Sequence, residues 1–123
     1  MSAQPRTVVR AGLFDIVAVI VFVALGRRSH DEGGNAAVET ARVAAPFLIA
    51  LAVGWVAARA WRRPTALTTG AIVWVVTVAL GMVVRNVVFD RGTATSFVVV
   101  ASLVTGVLLL GWRAVALAIA HRR

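Results

Sequence analysis

From Ala66 to Val84 the chain carries no ionisable side chain, and the run then closes on Arg85-Asn86. Within it Gly70, Trp74, Thr77, Gly81 and Arg85 recur at steps of three or four, the spacing that gathers residues on one helix face. The other positions are almost all valine, alanine, leucine and isoleucine. In water such a helix would leave half its apolar surface exposed. In a bilayer it is a spanning helix with one face kept for protein contact.

Three further apolar runs accompany it, and the composition admits no other class. The 123 residues are 60% hydrophobic and 15% charged, with a mean hydropathy of +0.89. Soluble domains are about 45–50% apolar, and one this small cannot hide so much apolar surface. The net charge of +8 comes entirely from arginine, as no lysine is present. In a soluble chain that charge would point to nucleic acid. Here the arginines flank the apolar runs, where they snorkel toward anionic headgroups, and no nucleic-acid partner is expected. The absence of cysteine excludes disulfides, thiol catalysis and cysteine-based metal sites. Four tryptophans and no tyrosine leave the indoles as the expected interface anchors.

The expected spans are about 8–26, 43–60, 66–89 and 95–120. The first is read as a retained helix rather than a cleaved signal peptide, because it contains Asp15 and no small-x-small site precedes Arg27-Arg28. The polar connection from Arg27 to Arg42 is broken by Gly33-Gly34, and Pro46 is placed in the first turn of the second helix. Ala50, Gly54 and Ala58, spaced by four, form a small-residue packing seam, with Thr77, Gly81 and Gly106 as further packing positions. Trp61-Arg62-Arg63-Pro64 makes a basic turn, and Asp90-Arg91-Gly92 another turn before a fourth helix capped near Thr93, Thr95 or Ser96. Ile16 to Gly26 echoes Ile72 to Gly81 in its valine, alanine and leucine pattern, as a duplicated hairpin would.

The fold expected is therefore an all-α membrane protein, a single domain of four transmembrane helices in a bundle. Four spans put both termini on one side. Arg6, Arg10, Arg59, Arg62, Arg63, Arg122 and Arg123 lie on that side, while Arg27, Arg28, Arg42 and Arg91 on the other are accompanied by Asp31, Glu32, Glu39 and Asp90. The positive-inside rule makes both termini cytoplasmic, in a plasma membrane.

Asp15 is the costliest residue to insert, at about 2.5–3.5 kcal/mol near a helix centre, and so needs a partner, a cavity or water. Arg113 on the fourth span and Arg59 on the second reach similar depth. Either would form an intramembrane Asp/Arg pair, working as an ion-exchange site or fixing helix register. Arg113 serves as an interface anchor instead if the fourth span ends at Trp112. Arg85 is a candidate external anion contact, or a snorkelling partner of Asp90. Ser29-His30-Asp31-Glu32 is a loop cluster, but His30 and His121 fall on opposite sides, so no two-histidine metal site is expected. No nucleophile motif or phosphate loop occurs, and neither enzymatic activity nor a cofactor is expected.

Phe14 to His30, Pro46-Phe47, Gly54-Trp55, Trp61-Arg62-Arg63-Pro64, Trp74 with Thr77, Gly81-Met82 with Arg85, Ser96-Phe97 and Leu110-Gly111-Trp112-Arg113 together resemble a family. It is a family of small four-span membrane proteins of actinobacteria and haloarchaea, the domain of unknown function 3054. The resemblance implies the four spans and singles out Asp15, His30, Arg85 and Arg113, without supplying an activity. Two functions fit these residues. One is a transporter- or channel-like protein for an ion or small solute, centred on Asp15, Arg85 and Arg113. The other is a non-transporting accessory or assembly subunit of a larger envelope complex. Expected partners are membrane lipid and either further copies of the chain or another membrane protein.

Overall fold

A computed structural model describes residues 4–30, 36–87 and 95–121. They form four α-helices: α1 (Pro5–His30), α2 (Ala36–Ala58), α3 (Leu67–Val87) and α4 (Thr95–His121). Each contains a segment long and apolar enough to cross a membrane: Pro5–Ala24, Ala41–Ala58, Leu67–Val84 and Val98–Ala120. Each helix packs on its neighbours in chain order, and α1 closes the ring on α4; the α2–α3 seam is the most extensive. Residues early in α1 meet the ends of α2 and α4, so the helices alternate in direction and the described ends of α1 and α4 nearest the termini share one end of the bundle.

The polar flanks are more helical than expected. Pro5 takes the first helical position of α1, where its missing N–H is unneeded, and α1 runs to His30. α2 begins at Ala36, inside the expected polar connection, because Ala36, Ala37, Glu39 and Ala41 are good helix formers and a helix need not stop where hydrocarbon does. Pro46 therefore lies in the interior of α2 and not in its first turn. It is fully buried there, in a setting where neighbouring helices allow proline in a spanning segment. The Gly33-Gly34 break, Asp31, Glu32 and the Asp90-Arg91-Gly92 turn lie outside the described residues.

α2 ends in a Schellman motif. Arg59 adopts φ 50°, its N–H donates to the Val56 carbonyl at 3.2 Å, and the Ala60 N–H donates to the Trp55 carbonyl at 3.0 Å. Glycine usually takes this left-handed position, since a side chain there costs about 1–2 kcal/mol.

Small residues set the helix spacing. Ala50 is buried, and Gly54 is buried against α3, where a Cβ on it would stand 3.3 Å from the Val73 carbonyl oxygen; Ala58 is half-buried. A Cβ on Gly81 would fall 2.5 Å from Phe47 Cδ1, and one on Gly106 2.9 Å from Trp74 Cε2. The face of α3 singled out by its periodicity thus serves both neighbours: Gly81 admits α2, while Gly70 and Trp74 meet α4. The core between the helices includes Val19, Phe22, Phe47, Leu51, Val73, Ala101 and Leu109, with Phe22 and Phe47 edge to face at 5.5 Å. Thr77 and Thr105 are buried in the bundle, and neither hydroxyl has a hydrogen-bond partner among the described residues.

Candidate functional site

Asp15 and Arg113 meet at the termini end of the bundle, each with 0% of its surface exposed. Asp15 lies well inside α1, because the apolar residues around it carry the helix through lipid on both sides. Arg113 is reached because α4 does not stop at Trp112 but continues to His121. The guanidinium grips the carboxylate with two parallel bonds, Nη1–H to Oδ1 at 2.8 Å and Nη2–H to Oδ2 at 2.7 Å. Such a fork is the strongest arrangement available to this pair of side chains.

Two indoles complete the carboxylate. Trp112 Nε1–H donates to Oδ1 and Trp55 Nε1–H to Oδ2, each at 2.8 Å. Four donors thus meet two oxygens that offer about four acceptor positions. Arg113 also donates from Nε to the Pro64 carbonyl at 2.8 Å and from Nη1 to the Leu109 carbonyl at 2.9 Å. The Trp112 ring lies 4.4 Å from the guanidinium carbon and stacks on Phe14 at 5.0 Å. α1, α2, α4 and the turn after α2 therefore converge on one charged pair. α3 contributes the room, since a Cβ on Gly70 would stand 2.8 Å from Arg113 Cδ.

This arrangement corrects two expectations. Arg59 is not the partner of Asp15: it sits exposed at the left-handed cap of α2. Nor are the tryptophans all interface anchors. Trp55 and Trp112 serve Asp15, and Trp74 Nε1–H donates to the Ser102 carbonyl at 2.8 Å; Trp61 alone of the four is exposed. An indole satisfies a buried acceptor better than it satisfies lipid when one lies within reach. The spacing of Trp55 and Trp112 held a usable signal, because both approach Asp15 in depth. The Pro64 carbonyl had none, since every residue carries such a group.

Arg85 stands in the last turn of α3 and His30 at the end of α1; their side chains lie outside the described residues, as does Asp90. Arg85 is remote along its helix from Gly70, which marks the level of Arg113. His30 and His121 end helices that run in opposite directions, and no cluster of metal-binding side chains occurs among the described residues.

The model of "Protein of unknown function (DUF3054)" matches residues 12–116. The chain belongs to that family. The match runs from just before Asp15 to just beyond Arg113 and so encloses the whole buried cluster. No curated protein and no solved structure matches the chain.

Proposed function

We propose that this DUF3054 protein is a non-transporting accessory or assembly subunit of a larger membrane complex, seated in the cytoplasmic membrane with both termini cytoplasmic. The observation that supports this reading is the saturated Asp15 carboxylate. An exchange site must leave an acceptor position open to its ion, whereas here the fork and two indoles occupy both oxygens. Releasing them would expose an unpaired guanidinium in a buried site, a costly opening step. The pair is better suited to holding α1, α2 and α4 in register, which leaves the outer surfaces for partners. The orientation follows from the excess of arginine at the termini and the Arg62-Arg63 turn.

The test joins two measurements on the full chain. Mild-detergent purification from native membranes is expected to bring down one membrane protein in fixed ratio, and proteoliposomes of the purified chain are expected to show no ion or solute flux above empty vesicles. Flux that is lost in Asp15→Asn, with the bundle still folded, would overturn the proposal.

A transporter- or channel-like role is the second reading, and the unpartnered buried hydroxyls of Thr77 and Thr105 favour it. A polar passage would use such groups. The double substitution Thr77→Val with Thr105→Val separates the two: a passage would lose its flux, whereas a packed accessory bundle would keep or gain stability, because an unpaired hydroxyl is replaced by a methyl.

A further inference from the structure

Beside the turn between α2 and α3 lies an open groove of about 590 Å³, lined by Ala58, Arg59, Arg62, Arg63, Ala66, Thr68, Thr69 and Ile72. Its charge is one-sided. Three arginines line it and no carboxylate does; among the described residues none of the three makes an ion pair. Thr69 is only 6% exposed, yet it lines the groove. The first turn of α3 contains no acidic residue to answer its unpaired N–H groups.

Arg59 adds a second kind of observation. It occupies the left-handed position of a Schellman cap, which glycine would fill without strain, and its side chain lines the groove. Backbone strain retained at such a place points to a use for the side chain. The turn is also held from within. Arg113 binds the Pro64 carbonyl, which fixes the backbone next to Arg62 and Arg63 while their side chains stay outside.

We infer that this groove binds a phosphate-bearing anion, clasped by Arg59, Arg62 and Arg63 and hydrogen-bonded by Thr69. Guanidinium forks match phosphate oxygens in geometry as well as charge. The ligand chemistry is shared by an anionic phospholipid headgroup and by a soluble phosphate. The apolar wall at Ile72, 40% exposed at the edge of the bundle, offers an acyl chain a path that a soluble anion does not need. This inference stands apart from the accessory reading, since it concerns only the α2–α3 turn.

The experiment uses the full chain in a neutral detergent, titrated separately with short-chain phosphatidylglycerol, short-chain phosphatidylcholine and inorganic phosphate, with bound ligand read by native mass spectrometry. Phosphatidylglycerol is expected to bind in preference to phosphatidylcholine. The double variant Arg62→Gln with Arg63→Gln should weaken that binding about tenfold or more, from about a fivefold effect per arginine. Arg6→Gln with Arg10→Gln, which removes the same charge from α1, should leave it nearly intact. Thr69→Val should weaken it severalfold and reports on the groove if the arginine variant is poorly folded. Phosphate binding with the same arginine dependence, in place of lipid preference, would sustain the anion site and assign it a soluble ligand. Equal weakening by the α1 pair, or no preference among the three probes, would overturn the inference.

Discussion

Two sets of arginines lie within a few residues of each other in space and are treated in opposite ways. Arg113 is wholly buried, and its donors meet a carboxylate and two carbonyls; Arg59, Arg62 and Arg63 are exposed around an open groove and meet no carboxylate among the described residues. The turn at Pro64 belongs to both. Its carbonyl accepts from Arg113 on the inside, while its arginines face outward. The contrast separates two uses of one side chain. A charge removed from water must be answered completely and then serves structure, whereas a charge left at the rim keeps its donors for a ligand.

The largest test of that contrast is Asp15→Asn. It leaves Arg113 buried without its counter-charge, and stability should fall by about 3–5 kcal/mol, read by unfolding titration in mixed micelles. The double variant Asp15→Leu with Arg113→Met should recover part of that loss, because no unpaired charge stays buried, although the Trp55 and Trp112 N–H groups and the Pro64 carbonyl lose their partners. A double variant as unstable as the single one would break the interpretation of the pair as a structural clasp.

Next in size is a comparison of two glycines near the pair. Gly70→Ala drives a Cβ to 2.8 Å from Arg113 Cδ and 2.9 Å from Leu110 Cδ2, and should cost about 1–3 kcal/mol. Gly111→Ala meets nothing within 4 Å and should be neutral or gain up to about 1 kcal/mol from helix propensity. Equal effects at the two positions would mean that α3 does not shape the space around Arg113.

Arg59→Gly should act in opposite directions on the two properties. Relief of the left-handed backbone should raise stability by about 1 kcal/mol, while anion retention in the groove falls. The smallest expected stability change belongs to Arg62→Gln with Arg63→Gln, within about 0.5 kcal/mol of the parent, despite its large effect on binding. A destabilised, ligand-free bundle in that variant would show the outer arginines to be structural, and the contrast with Arg113 would disappear.

Much of the site was within reach of the sequence, and particular residues show where that reach ended. The cost of Asp15 in lipid called for a partner, a cavity or water, and depth left Arg113 and Arg59 as the candidate partners. Depth could not choose between them, because the choice turns on where α2 ends. Arg59 is taken out of the bundle by a left-handed cap that the chain forms without a glycine to announce it. Tryptophan was expected at the membrane interface on average statistics, and three of the four indoles instead found acceptors inside. α2 begins upstream of its expected span for a related reason: polarity marks where the apolar segment starts, near Ala41, while helix propensity carries the backbone back to Ala36.

By itself the sequence determined that four apolar helices cross a membrane, since no small soluble core could bury such runs, and that one carboxylate within them needed a partner, a cavity or water. Tertiary structure decided which arginine provides that contact, that two indoles and a turn carbonyl close it, and that three other arginines are left facing an open groove. The division has a physical cause. Insertion into lipid depends on the content of each segment taken alone, whereas hydrogen-bond satisfaction depends on directions and distances that exist only once the four helices have packed.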